Sequence, residues 1–185
     1  PIFIAGCTLI MFNAKTLKVL AFPIAFLLLL TPPPIETVYA VGATLSLISS
    51  EVTYQVLKTI GLPVSLATQY GTPVITIQSQ GVPLTFAIDI ACTGIYPLIQ
   101  FSIFAIFVAY ITRGNPLQKT TTLLAGFPLI YSLNIARIII ILLIGYRHGM
   151  ETAMNAFHLF GGLALIFLGT ITLLFLSEKI WKTQI

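Results

Sequence analysis

Three side chains with reactive chemistry stand near the ends of three separate apolar segments of this 185-residue chain: Cys92, Arg137 and His158. A thiolate is a nucleophile, an imidazole transfers protons, and a guanidinium stabilises an anion. An ionisable group inside a membrane is costly and usually has a partner or a function. If the three side chains meet, they form a nucleophile, a base and an anion stabiliser.

The composition predicts that these three residues lie in a membrane protein. Hydrophobic residues make up 57% of the chain and charged residues 8%, against roughly 25% charged residues in a soluble domain. This indicates an integral membrane protein and argues against nucleic-acid binding, despite a formal net charge of +4. The length suits a single membrane domain over residues 1–185.

Four apolar segments are predicted to cross the membrane, since a span needs about 20 residues. Their ranges are 13–31, 90–111, 120–144 and 152–176. Residues 1–12 are also apolar and could form a partial span, as the tail of a truncated spanning helix. An insert at residues 32–89 separates the first two spans and is more polar.

The insert carries two kinds of periodicity. Apolar residues recur at spacings of three and four along residues 35–60, which predicts an amphipathic helix that lies in the interface or covers the bundle. Apolar and polar residues alternate on both sides of Gln80-Gly81, which predicts a β-hairpin. The expected fold is therefore an all-α polytopic membrane protein, a helical bundle with an amphipathic interfacial helix and a small extracytoplasmic β-hairpin-like segment.

The distribution of basic residues predicts the orientation. Alternate connections carry six basic residues, which should face the cytoplasm: Lys15, Lys18, Arg113, Lys119, Lys179 and Lys182. The opposite connections carry two basic and four acidic residues: Lys58, Arg147, Glu36, Glu51, Asp89 and Glu151. At a rise of about 1.5 Å per residue, Arg137 and His158 then lie about 9–10 Å from the extracytoplasmic ends of their helices. Cys92 lies near the start of its helix on the same side.

Each of these residues also has a purely structural interpretation. An isolated membrane cysteine is usually a small apolar filler, and an arginine near a helix end commonly extends to the interface. A histidine can be a hydrogen-bonding group between helices. Cys92, however, is flanked by polar residues where an extracytoplasmic segment enters a helix, and Arg137 lies about two turns inside its helix.

Four neighbours are candidate supporting residues. Asn134 precedes Arg137 by three positions and can share its helix face. Asp89 either caps the helix of Cys92 or contacts the site. Thr93 follows the cysteine directly, and Tyr96 lies one turn further on, where an aromatic belt at the membrane surface is the structural alternative.

These motifs resemble those of the exosortase/archaeosortase family. The resemblance rests on residues 91–95 (ACTGI), residues 134–138 (NIARI) and His158 in the last span, in that order and on one predicted side. The apolar helix ending in three prolines and the amphipathic and β-like stretches before the cysteine agree with it. It covers roughly residues 17–176, and the Cys-Thr-Gly form leans toward the archaeosortase branch.

The resemblance implies a membrane cysteine transpeptidase that acts at the extracytoplasmic face of the cell membrane. Its protein substrates carry a C-terminal sorting signal, made of a short motif, a membrane helix and a basic tail. Cys92 would be the nucleophile, His158 the proton-transfer group and Arg137 the stabiliser of the thiolate or the oxyanion. The new C-terminus would pass to an amine acceptor, for which the family suggests a lipid head group, whereas water would give simple proteolysis.

Other classes of membrane protein remain open from the residues alone. A small transporter or channel would also hold an intramembrane Arg137 and His158, and a structural subunit would tolerate loss of the thiol. No cofactor or metal is expected, because the chain has no Cys/His cluster with ligand spacing. A zinc intramembrane protease would need an HExxH sequence, which is not found here.

Overall fold

The computed structural model describes residues 1–79, 81–111, 115–159, 167–172 and 175. Within helices, the side chains of residues 118, 119, 122, 123, 158 and 159 also lie outside this description. The chain divides into two compact units, Pro1–Thr37 and Val38–Ile185. The candidate site residues all belong to the second unit.

The first unit consists of short helices. They are α1 (Ile2–Met11), α2 (Ala14–Val19), α3 (Ala21–Phe26) and a 3-10 turn at Leu27–Leu30. Asn13 caps α2, since its side chain accepts from the Thr16 amide at 2.8 Å. The predicted span at 13–31 is therefore built from three successive helical pieces, and its crossing of a membrane stays a prediction.

Helix α4 (Ile35–Thr59) follows the three prolines and runs for 25 residues. It ends in a Schellman motif: Gly61 has φ +87°, the Gly61 amide donates to Lys58 O, and the Leu62 amide donates to Leu57 O. Its buried face is small and largely polar, whereas the apolar side chains of the opposite face are exposed. The buried residues are Val38, Gly42, Ser46, Ser49, Ser50, Thr53 and Leu57.

A three-stranded antiparallel sheet follows, in the order β1 (Val64–Gln69), β2 (Thr72–Ser79) and β3 (Val82–Ala87). Strands β2 and β3 are the predicted hairpin, with Ile75 opposite Phe86. Gln80 of the predicted turn lies outside the described residues. The prediction of a lone hairpin in an all-α protein was too narrow, because β1 adds a third strand. Only Val64 and Leu66 of β1 are partly buried, so its alternation of apolar and polar residues is shorter than that of the other two strands.

Three helices complete the second unit: α5 (Ile95–Ile111), α6 (Pro116–His148) and α7 (Met150–Leu159). Asn115 caps α6, with Pro116 at its first position. Residues 167–172 are helical as well. Among the described residues, one helix is long and apolar enough to cross a membrane, over Leu124–His148.

The sheet packs on α6 through one apolar cluster. Its buried members come from α4, both hairpin strands, α6 and α7: Leu57, Ile75, Ile77, Phe86, Ile88, Ile138, Ile141, Leu142 and Ala153. Gly145 permits this approach, since a Cβ there would lie 2.6 Å from the Phe86 ring. The cluster fixes the end of β3 beside the C-terminal third of α6, and the chain enters the candidate site directly after β3.

Candidate active site

A tight turn between β3 and α5 presents Cys92. Asp89 begins this turn: its carboxylate accepts from the Ala91 amide at 3.0 Å, and its backbone carbonyl accepts from the Cys92 amide at 2.9 Å. Thr93 is fully buried and donates from its hydroxyl to Ile90 O at 2.8 Å. These short-range bonds turn the chain over three residues, so that the cysteine precedes α5 instead of lying inside it.

A side chain of α6, Asn134, binds the backbone of this turn. The Asn134 side chain is fully buried and donates from Nδ2 to the backbone carbonyl of Cys92 at 2.8 Å. Gly94 makes this contact possible for two reasons. Its φ is +80°, and a Cβ at this position would lie 2.8 Å from Asn134 Cγ. The Cys-Thr-Gly sequence and Asn134 therefore form one packed unit.

Arg137 lies one turn further along α6 and is half-buried. The guanidinium carbon lies 4.7 Å from the centre of the Phe157 ring on α7, which is cation–π geometry. Nε of Arg137 is buried and has no hydrogen-bond partner among the described residues. A buried polar group without a partner is uncommon in a folded protein.

Cys92, Arg137 and Asp89 line one cavity of about 330 Å³, which we call the Cys92 cavity. The Cys92 thiol interacts with both the carboxylate and the backbone of Asp89 and is close enough to Arg137 for electrostatic interaction. The positive charge of Arg137 favours a thiolate, and the carboxylate opposes it. Most of the remaining wall is apolar and includes Met154 and Phe157.

The structure places the other predicted site residues differently. His158 belongs to α7, directly after Phe157, but its side chain lies outside the described residues. Thr93 and Asn134 do not line the Cys92 cavity; they support the backbone of the Cys92 turn through hydrogen bonds. Tyr96 is half exposed and lines a second cavity on the other side of the turn.

The sequence did not identify two features of the site. The Phe157 ring packs against the Arg137 guanidinium. Met150 and Met154 line the Cys92 cavity together with Phe157. Their spacing of four and three residues puts them on one face of α7. That spacing was a readable signal, but apolar residues at helical spacing are normally packing residues, so chemistry alone did not single them out.

The sequence matches the transmembrane exosortase family over residues 1–176, so the chain belongs to that family. Membership implies a sortase-like transpeptidase role, carried out in a membrane on proteins with sorting signals. Neither a curated protein nor a solved structure shows a significant match to the chain.

Proposed function

We propose that the chain is a multi-pass membrane cysteine transpeptidase of the archaeosortase branch, with its active site on the extracytoplasmic side. It removes the C-terminal sorting signal of a membrane-anchored protein and transfers the new C-terminus to an amine acceptor, for which a lipid amine is the candidate. The observation that carries the proposal is the position of Cys92 and Arg137 on one cavity. The basic residues of the connections support the orientation.

The first half-reaction forms a thioester. Cys92 loses its proton to His158, and the thiolate attacks the scissile carbonyl carbon of the substrate. Arg137, which lines the same cavity as Cys92, donates to the oxyanion through its guanidinium group. The C–N bond then breaks, and His158 returns its proton to the departing amine.

The second half-reaction releases the product. An acceptor amine attacks the thioester carbonyl, the C–S bond breaks, and one nitrogen proton passes to the departing Cys92 sulfur. An amide forms and the thiol is regenerated. Water in place of the amine would give a free carboxylate and a proteolysed product.

The position of the site suits this substrate. A scissile bond beside a membrane helix lies at the membrane surface, and the Cys92 turn lies directly between the polar insert and α5. The largely apolar cavity wall shelters the reacting groups and strengthens the interaction of Arg137 with the developing charge.

The direct test uses the two cysteines of the chain. We expect Cys92→Ala to abolish processing of a membrane-anchored substrate with a C-terminal sorting signal, followed by its change in size. Cys7→Ala is the matched control, because Cys7 is also a free thiol and belongs to the first unit. Normal processing by Cys92→Ala would contradict the proposal, and solute flux that survives this change would favour a transporter.

A further inference from the structure

A second cavity of about 420 Å³ lies on the other side of the Cys92 turn. Its wall includes Tyr39 and Ser46 of α4, Thr72 of β2, and Tyr96 at the start of α5. We call it the Tyr39 cavity. Nothing in the two half-reactions described above uses it.

The two cavities share a wall. Asp89 and Ala91 line both of them, and Cys92 is the next residue along the chain. The Asp89 carboxylate interacts with the Cys92 thiol as well. A thioester on Cys92 would therefore form beside a carboxylate that is also accessible from the Tyr39 cavity.

The chemistry of the Tyr39 cavity fits a small cation. Asp89 is exposed, and its carboxylate accepts one bond from the Ala91 amide. Since a carboxylate offers about four acceptor positions, it has capacity for a further donor. Tyr39 and Tyr96 are 57% and 48% exposed, so their rings are accessible to a cation as well. A carboxylate with two aromatic rings is a favourable environment for an ammonium group.

We propose that the Tyr39 cavity binds the acceptor of the transfer reaction through its primary ammonium group. This inference rests on the proposed transpeptidase function and deepens it. The sorting signal occupies the Cys92 cavity and the acceptor occupies the Tyr39 cavity, so that the two substrates meet at the shared wall. Asp89 and the two tyrosines recognise the charge of the acceptor.

The transfer step follows from this placement. The bound ammonium releases one proton to solvent water, and the resulting amine attacks the carbonyl carbon of the Cys92 thioester. The C–S bond breaks, the second nitrogen proton passes to the Cys92 sulfur, and an amide is formed. Asp89 holds the amine and is not consumed.

The test measures how the thioester divides between amide and free acid, so it does not depend on total turnover. The full-length protein in nanodiscs is given a sorting-signal substrate and ethanolamine as the soluble acceptor. We expect choline, which has the charge but no N–H bond, to reduce amide formation competitively. Ethylene glycol, which lacks the charge, should have no effect. Equal effects of choline and ethylene glycol would overturn charge recognition.

Two variants locate the binding site. Asp89→Asn keeps an oxygen to cap the Ala91 amide but removes the charge, and Tyr39→Leu removes one ring. We expect either change to lower the amide-to-acid ratio at fixed ethanolamine by about 5- to 30-fold. Tyr70→Leu is the matched control, because Tyr70 is fully exposed in the β1–β2 turn and lines neither cavity.

The outcomes separate the two proposals. If wild-type protein releases no C-terminal tail, the proposed function fails. If the tail is released and both variants keep the wild-type ratio, the acceptor site fails while the proposed function stands. A parallel reaction with an ethanolamine-bearing lipid in the nanodisc distinguishes a membrane-borne acceptor from a soluble one. A lower amide-to-acid ratio in the variants, with either the soluble or the lipid acceptor, supports the proposed acceptor site.

Discussion

Asn134 and Cys92 are joined by a hydrogen bond from a fully buried side-chain amide to a backbone carbonyl, at 2.8 Å. The bond attaches the turn that carries the thiol to the helix that carries Arg137, one helical turn further along. It sets the position of Cys92 relative to Arg137 without touching the sulfur. We therefore propose that Asn134 positions the Cys92 turn.

Replacing Asn134 should impair the site more than the fold. Asn134→Leu leaves the Cys92 carbonyl unpaired, which costs about 1–3 kcal/mol of stability, and allows the turn to shift. Because a displacement of about 1 Å can cost about 100-fold in rate, we expect kcat/KM to fall by about 10- to 100-fold. The rate of Cys92 alkylation by iodoacetamide should change as well, which a purely global loss of stability would not explain in folded protein.

Asn155→Leu is the control for this substitution, since Asn155 is exposed on α7. It should leave both alkylation and processing unchanged. Wild-type kcat/KM in Asn134→Leu would show that the bond to Cys92 has no part in positioning the thiol.

Gly94 should tolerate no side chain. Gly94→Ala introduces a Cβ 2.8 Å from Asn134 Cγ at a φ of +80°. The backbone strain alone costs about 1–2 kcal/mol, and the displaced Asn134 adds to it. We expect lower thermal stability and loss of processing.

Gly61→Ala separates the two costs of this change. Gly61 has φ +87°, but a Cβ added there would meet no atom within 4 Å, so this variant measures backbone strain without a clash. Equal destabilisation in the two variants would show that the contact between Gly94 and Asn134 is not tight.

The contribution of Arg137 to catalysis should depend on its planar guanidinium group and on the Phe157 ring beneath it. Arg137→Lys keeps the charge but loses the planar donor set, and loss of one oxyanion donor costs about 100- to 1,000-fold in kcat. Phe157→Leu removes the ring beneath the guanidinium, worth about 0.5–2 kcal/mol, so a loss of roughly 2- to 30-fold is expected. Phe104→Leu, on a partly exposed ring of α5, is the control. Full activity of Arg137→Lys would exclude a specific guanidinium role.

The apolar wall of the Cys92 cavity should bind the sorting signal. Met154→Trp adds a larger side chain to the wall of the cavity. Overpacking of a filled apolar site costs about 1–3 kcal/mol, so binding of the sorting signal should weaken. KM for the substrate should rise, with a smaller change in kcat. Met11→Trp, at an exposed position of α1, should leave KM unaltered. An unchanged substrate KM in Met154→Trp would show that the sorting signal binds elsewhere.

The sequence predicted the parts of the fold with strong periodicity. The alternation around Ile75 and Phe86 gave the β2–β3 hairpin, and helix α6 contains the predicted segment 120–144. Strand β1 was missed because its turn is formed by Tyr70 and Gly71, both with positive φ, and a tyrosine at such a position is not a usual hairpin signal.

Helix α4 illustrates why burial was harder to predict than helix formation. Its apolar stripe is obvious in the sequence, yet the structure buries the opposite face, where Ser46 donates to Ile88 O and Ser49 bonds with Tyr131 at 2.9 Å. In a membrane protein, small polar residues mediate helix contacts and apolar ones can face lipid.

Prediction of the candidate site from the sequence was limited in the same way, because it also depends on packing. The loop charges predicted a common side for Cys92 and Arg137, but the contact of Phe157 with Arg137 depends on how α7 packs on α6, which the spacing of Phe157 did not predict.

The proposed mechanism requires the Cys92 thiol to carry the substrate as a thioester. The most direct measurement is intact-protein and peptide mass spectrometry after a brief reaction with substrate in the absence of an amine acceptor. We expect an acyl adduct on Cys92 that hydroxylamine removes, present in Cys7→Ala and lost in Cys92→Ala. Substrate cleavage with no adduct on Cys92, or with the adduct on Cys7, would contradict the mechanism.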